Sequence, residues 1–280
     1  MSLANGYVWT YRNIRLIGYS MAGASTSLVF PDADVCFDVA QGLPFQVPIN
    51  NILLTHSHAD HASGIPYLIG QKAMTGQATP TVYMPEQIVR PMKELMRIFE
   101  ELDGHTFEFE FKGVKPGETV PLRGNFFFRP FPTYHRVPSQ GYTIYEKKKH
   151  LKPEYRGLEP RELGSLRRQG IELDSFVDEP ILSFTGDTRI EFLESEDARK
   201  SRVLVMEVTY WDERKSVENA RHWGHIHLDE LLPRLDEIES EKILIIHVSA
   251  RYTTNDLMRI IDERVPEHHK HRIEIFPRPI

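Results

Sequence analysis

The nine residues LLTHSHADH, Leu53 to His61, constrain this chain more than any other stretch, because three histidines and an aspartate crowd into six positions directly behind an apolar run. A helix turns about 100° per residue, so His56, His58 and His61 would share no common stripe, and the cluster reads as a loop. The preceding NNILL suits a short buried strand. The following HASGIPYLIGQKA has the helical apolar spacing of Ile65, Leu68 and Ile69, with no proline after Pro66. Sequence therefore places a ligand-rich turn at a strand end that opens onto a helix. Neutral imidazoles and ionised carboxylates are preferred zinc ligands after thiolates, so the order His-x-His-x-Asp-His points to a metal site. A histidine-rich surface loop is the competing reading, and it gives no reason for four ligand-type residues at that one junction.

Composition limits the setting. A chain of 280 residues with 40% hydrophobic content can bury a large core, and the expectation is a single domain over residues 1–280. No stretch approaches the roughly 20 apolar residues of a membrane helix, and the N-terminus lacks the apolar segment of a signal peptide, so a cytoplasmic protein with no membrane partner is expected. The one cysteine, Cys36, excludes an internal disulfide and a thiolate cluster; it reads as a buried strand residue, and any metal must be held by nitrogen and oxygen. A net charge of −6 argues against a protein that coats nucleic acid non-specifically. One local basic segment, at about residues 146–172, gathers Lys147, Lys148, Lys149, Lys152, Arg156, Arg161, Arg167 and Arg168, and reads either as a phosphate-binding patch or as a solvated face.

Short apolar and β-branched runs recur along the chain: RLIGYS, SLVFP, DVCFDVA, TVYMP, FFFRPFPTYH, GYTIYE, PILSFTGD, RVLVMEV and KILIIHVS. Helical patterns alternate with them in PEQIVRPMKELMRIFEELDG, in LDELLPRLDEIES with Pro233 as a kink, and in TTNDLMRIIDERV. Two sheets faced by helices accommodate that order. Several runs end in a group that can bind a metal or move a proton, namely His135, Asp187, Glu207 and His247. Open α/β architectures gather functional groups at the carboxyl ends of strands, so these distant residues are expected to converge on one rim.

His-x-His-x-Asp-His, followed by a separate histidine, a GDT aspartate and a late strand-end histidine, resembles the metallo-β-lactamase superfamily. Within it, HRVPSQGY, MEVTYW, GHIH and HVSARY resemble ribonuclease Z, over most of the chain from IGYSMAG to HVSARY. The resemblance implies an α/β fold, an αββα four-layer metallo-β-lactamase sandwich, carrying a zinc-dependent phosphodiesterase that removes 3′ trailers from precursor tRNA. It further implies two zinc ions, with manganese or iron left open. One would be held by His56, His58 and His135, the other by Asp60, His61 and His247, and Asp187 would bridge them. Asp60 counts as a catalytic carboxylate too. The superfamily's di-iron branch resembles this pattern with a glutamate in place of His58, so histidine there points to zinc and hydrolysis.

By the same resemblance Glu207 and His225 form the dyad beside the leaving group, with the carboxylate raising the imidazole pKa so that it can act as a general acid. His225 is chosen over His222 and His227 by its place in GHIH, and His227 stays open as the donor. Asp38 is expected to orient a ligand histidine rather than touch metal. Lys147, Lys148, Lys149, Lys152 and Arg251 are the candidate substrate-binding residues, and members of the family commonly dimerise, which makes a homodimer the implied assembly. The chain also departs from the family: HEAT becomes MEVT, GHST becomes GHIH, DCGEGTQ becomes DVAQGLP, and the long glycine- and proline-containing arm is missing. These departures keep a second reading open, a binuclear zinc hydrolase of a small substrate such as a cyclic nucleotide, a phosphonate-pathway diester or a lactone.

Overall fold

The computed structural model describes residues 5–277. Seven strands form the first sheet in chain order: β1 (Tyr7–Tyr11), β2 (Ile14–Met21), β3 (Ser25–Phe30), β4 (Val35–Phe37), β5 (Asn51–Leu53), β6 (Thr81–Pro85) and β7 (Glu110–Val114). Seven more form the second: β8 (Val120–Pro121), β9 (Phe126–Pro132), β10 (Gln140–Leu151), β11 (Asp174–Phe184), β12 (Val203–Glu207), β13 (Lys242–Ile246) and β14 (Ile273–Ile275). The two follow one plan. β1 to β4 pair antiparallel and β4 to β7 parallel; β8 to β11 pair antiparallel and β11 to β14 parallel.

The inner parallel strands are apolar on both sides because both faces are covered. In β12, Val203 and Val205 pack between the sheets while Leu204 and Met206 face outward onto helices. The inter-sheet core includes Phe37 stacked on Phe184 at 4.7 Å between ring centroids. Outside the first sheet, Leu68 and Ile69 of α2 (Ile65–Met74) and Met92 and Met96 of α3 (Glu86–Asp103) cover Cys36, Ile52 and Val82. Outside the second sheet, helices including Leu228–Leu231 and Thr254–Arg264 cover Leu204, Met206, Ile243 and Ile245. The result is four layers, helix, sheet, sheet, helix, and Cys36 is a buried strand residue.

Two sequence expectations are corrected. The ligand cluster is not wholly a loop, since Asp60 and His61 lie on a one-turn helix, α1 (Ala59–Ala62), while His56 and His58 precede it. LDELLPRLDEIES is not one kinked helix. It is helical only over Leu228–Leu231 and then tightens to a 3₁₀ turn, Leu232–Glu237, where Pro233 has no N–H to give.

The basic segment is the outer part of a long hairpin. β10 and β11 stay paired past a bulge at Ile144/Tyr145, where Pro180 sits opposite Tyr145, and burial alternates from Glu146 onward as the strands leave the sandwich. A short helix, α4 (Pro160–Arg168), fills the link and buries none of its residues.

Candidate metal centre

The residues that sequence picks out meet at the carboxyl ends of β4, β5, β9, β11, β12 and β13. His56 and His58 leave β5, and α1 turns Asp60 and His61 back beside them. His135 comes from the loop after β9, Asp187 from the turn after β11, and His247 from the position directly after β13. The backbone is bent sharply to aim them. Asp38 after β4 and His247 after β13 both take left-handed conformations at φ +53°, a cost of order 1–3 kcal/mol each for a non-glycine residue. Gly186, at φ +60°, can take no side chain, since a Cβ there would meet Thr55 at 2.5 Å.

Two groups of donors result. His56, His58, His135 and Asp187 form one, and Asp60, His61 and His247 the other, with the donor atoms of each within 4.8 Å of one another. Asp187 faces both. Its Oδ2 lies 3.7 Å from His56 Nε2, and its Oδ1 lies 3.4 Å from both His61 Nε2 and His247 Nε2. His135 Nε2 is 3.1 Å from His58 Nδ1, and His247 Nε2 is 3.3 Å from Asp60 Oδ2.

Four of the five histidines are held by the far ring nitrogen. His61 Nδ1 donates to Asp38 Oδ2 at 2.7 Å, and His135 Nδ1 to the Gly224 carbonyl at 2.8 Å. The Thr55 hydroxyl donates to Asp38, so at 3.0 Å it accepts from His56 Nδ1. The Thr209 hydroxyl donates to Glu207 Oε2 at 2.6 Å, so at 3.0 Å it accepts from His247 Nδ1. Each contact leaves the Nε2 lone pair aimed inward, the tautomer a metal needs. His56 Nε2, His61 Nε2 and Asp187 Oδ1 are buried with no hydrogen-bond partner. Such atoms cost about 1–3 kcal/mol each when unpaired, and a divalent cation would satisfy all three, so the donor set fits a metal.

The electrostatics agree. Burial drives His56 well below the ordinary histidine value, with neighbouring histidines adding to it. Burial would raise Asp60, but the His247 hydrogen bond and the His61 charge hold it at about 2. Burial would likewise raise Asp187, and His247 and His61 instead hold it well below the carboxylate range.

Glu207 is fully buried and adjoins the donors without being free to join them. It accepts from His225 Nδ1 at 2.9 Å, Thr188 N at 2.9 Å, Thr209 Oγ1 at 2.6 Å and Ile226 N at 3.3 Å. Burial would lower His225, but the charge and hydrogen bond of Glu207, with Asp187 behind, raise it to about 9. The structure also separates the three histidines near GHIH. His225 alone meets Glu207. His227 is buried, donates to the Asp212 carbonyl and caps the next helix through Asp229 N, while His222 packs edge-on against Trp223.

The remaining substrate-binding candidates divide: Arg251 lines the same pocket as His58, Asp60, Asp187, His225 and His247, whereas the lysines lie on the outer hairpin. Arg251 is exposed on the rim and reaches Ser249 Oγ at 3.2 Å. The hairpin lysines are largely spoken for. Lys148 pairs with Glu179 at 2.6 Å and Lys149 with Asp174 at 2.8 Å, Lys152 donates to the Glu172 carbonyl, and Lys147 lies over the Phe176 ring. From Glu146 to Glu179, eight Lys and Arg are matched by eight Asp and Glu. Sequence alone does not mark Thr55 and Thr209, whose hydroxyls hold two of the candidate ligand histidines; the one signal is their place, directly before His56 and two residues after Glu207. A further cluster, Asp236, His268 and His269, is spent differently. There Arg272 Nε donates to His269 Nδ1, leaving Nε2–H to donate to Asp236.

Comparison with known proteins completes the picture. Residues 37–261 match the protein-family model described as "Anti-Pycsar protein Apyc1". The chain is 34% identical to tRNase Z TRZ1 of Arabidopsis thaliana over 243 residues, covering 86% of this chain and 87% of that protein. Among solved structures it is similar to human tRNase Z, short form, with a TM-score of 0.57 and 15% identity over 99% of this chain and 98% of the other. It is also similar to the metallo-β-lactamase fold protein YhfI of Bacillus subtilis, with a TM-score of 0.61 and 15% identity over 93% and 94%. Taken with the two-sheet sandwich, these matches mean that the chain belongs to the ribonuclease Z family of metallo-β-lactamase-fold, metal-dependent hydrolases, and to the family that the Apyc1 model describes.

Proposed function

We propose that this protein is a binuclear zinc phosphodiesterase that cuts precursor tRNA at its 3′ trailer, and the observation that carries this reading is the buried Glu207–His225 pair, 2.9 Å apart, beside the bridging carboxylate Asp187. His56, His58 and His135 would hold one ion, Asp60, His61 and His247 the other, with Asp187 shared. When bound, the ions supply Lewis acidity that activates water near neutral pH and offsets charge building on phosphate oxygens.

The chain's own groups do the rest. His225 is the candidate acid, 15% exposed at the rim, with its Nδ1–H held by Glu207 so that Nε2 carries the transferable proton. An alkoxide is a poor leaving group, and a proton delivered by His225 Nε2 as the phosphorus–oxygen bond breaks removes that obstacle. Glu207, held by four donors, keeps its orientation, and its contact favours the protonated form of His225. Asp60 is fixed by the Gly23 N–H at 2.9 Å as well as by His247, which leaves it pre-set rather than mobile.

The second reading, a small phosphodiester such as a cyclic nucleotide, is favoured by the charge-balanced hairpin, whose lysines are already engaged. The discriminating experiment incubates zinc-loaded protein with a 3′-extended tRNA beside cyclic and aryl phosphodiesters, with products mapped at nucleotide resolution. A single cut leaving a 3′ hydroxyl at the trailer junction supports the tRNA reading. Turnover of the small diesters with the tRNA left intact removes it.

A further inference from the structure

Helix α5 (Val217–Trp223) ends in a way that separates two neighbouring side chains. Gly224 closes it in the left-handed conformation, φ +78°, turning His225 into the site and leaving Trp223 on the surface, 46% exposed. That glycine admits no substitute, because a Cβ would meet His135 Nδ1 at 2.6 Å and Arg136 N at 3.3 Å. The segments Trp223–His225 and His135–Arg136 are therefore pressed together, and the Gly224 carbonyl accepts from His135 Nδ1. One residue beyond His135, the exposed Arg136 guanidinium lies over the Trp223 indole, 4.4 Å from its centroid. His135 and His225 stand 5.3 Å apart between ring centroids, so the stacked pair borders the side of the site from which His225 acts.

An exposed indole two residues from the proton donor, braced by a cation next to a candidate metal ligand, is the chemistry that takes a nucleobase and its phosphate. Every base offers a π-face to stack, and arginine both stacks on aromatic rings and pairs with phosphate. We infer that Trp223 and Arg136 form a base-stacking subsite for the nucleotide whose 3′ oxygen leaves. The inference rests on the phosphodiesterase reading and deepens it by assigning which side of the scissile phosphate is recognised by its base. The competing account makes the pair a brace that ties the His135 loop to α5.

The test uses zinc-loaded full chain and three 3′-extended tRNAs: one intact, one abasic at the nucleotide 5′ of the scissile phosphate, and one abasic 3′ of it. In wild type, removing the 5′ base should raise KM on the order of tenfold. In Trp223→Ala that base dependence should collapse toward one, while any dependence on the 3′ base persists. A loss in Trp223→Ala that is equal for intact and abasic substrates, or a wild type indifferent to the 5′ base, overturns the subsite and leaves the brace. Fluorescence gives a readout independent of turnover. Trp9 and Trp211 are buried, so Trp223 is the exposed indole, and adenosine 5′-monophosphate, which carries a free 3′ hydroxyl, should quench its emission. Trp223→Phe should abolish that change. If the protein cuts aryl diesters but no tRNA, the tRNA reading fails while this titration still decides the subsite, and absent quenching sinks it.

Discussion

The two halves of the molecule, residues 7–114 and 120–275, share one strand plan yet supply the site in opposite ways. In the first half, one junction after β5 provides His56, His58, Asp60 and His61 within six residues, supported by Asp38 from the neighbouring strand end. In the second, β9, β11, β12 and β13 each give a single group: His135, Asp187, Glu207 and His247. The equivalent hairpins differ as well. β3 and β4 are joined by a four-residue link, 31–34, whereas β10 and β11 run on into the charged projection. A shared scaffold thus divides labour: one half presents a preassembled cluster, and the other closes around it with single groups and carries the proposed proton donor.

The sharpest way to break that comparison is Asp187→Ala. Asp187 is the second half's only carboxylate facing both donor groups, so zinc content should fall from two ions per chain toward none and hydrolysis should drop to background. His58→Ala, in the cluster, should retain about one ion. Equal stoichiometry in wild type and Asp187→Ala would end the bridging assignment.

His225→Ala comes next, with an expected loss of roughly 10²–10⁴-fold on RNA and a much smaller one on a nitrophenyl diester, both ions being retained. The acid acts only when protonated, and Glu207 raises His225 to about 9, so RNA cleavage should fall as pH rises toward and through that value. A cation held by Asp187 opposes the rise, which places the falling limb at or below it. Glu207→Gln removes the charge and should move the limb to lower pH. Identical pH profiles for wild type and Glu207→Gln would detach the carboxylate from the acid.

Smaller effects sharpen the contrast between the supports. Asp38→Asn and Thr209→Val each remove the partner of one candidate ligand histidine, His61 in the first half and His247 in the second, and should weaken zinc about 10–100-fold in a chelator competition. Only Thr209→Val should also disturb RNA cleavage beyond the zinc loss, since Thr209 touches Glu207, and Thr209→Ser should restore both. Smallest is the quadruple neutralisation of Lys147, Lys148, Lys149 and Lys152. Every phosphate that a lysine ceases to neutralise lowers the log-log salt slope of tRNA binding by up to about 0.9, taking duplex DNA as the guide. Because these lysines are engaged within the hairpin, the slope should fall by less than two phosphates would account for. A fall equivalent to three or more would mean that substrate displaces the internal partners.

The same contrast explains what could be read in advance. The cluster was legible because its residues sit within one turn of each other, so a single-sequence pattern contains the whole arrangement. The scattered groups were visible only as polar ends of apolar strands, and the family resemblance supplied their grouping. Thr55 and Thr209 went unread because a lone hydroxyl beside a histidine or glutamate has no periodicity. Strand β7, EFKGV, escaped notice because a lysine and a glycine interrupt its apolar alternation, and β1, β8 and β14 because edge strands are short or half exposed. The hairpin's basic look misled, since acids on the facing strand engage its lysines, Lys148 with Glu179 and Lys149 with Asp174, and that facing is invisible along the chain.

That register sets the reach of the projection. Beyond the bulge the strands pair one to one, from Glu146 with Glu179 to Leu151 with Asp174. Side chains alternate between faces, so adding or removing one residue per strand would turn every outer side chain to the opposite face, whereas two per strand preserves the pattern. The hairpin's length is therefore quantised, in steps of about 6.5–7 Å, from the rise of two strand residues. Any redesign of how far this projection extends must move by whole steps, carrying Lys149 with its Asp174 and Lys148 with its Glu179 as units.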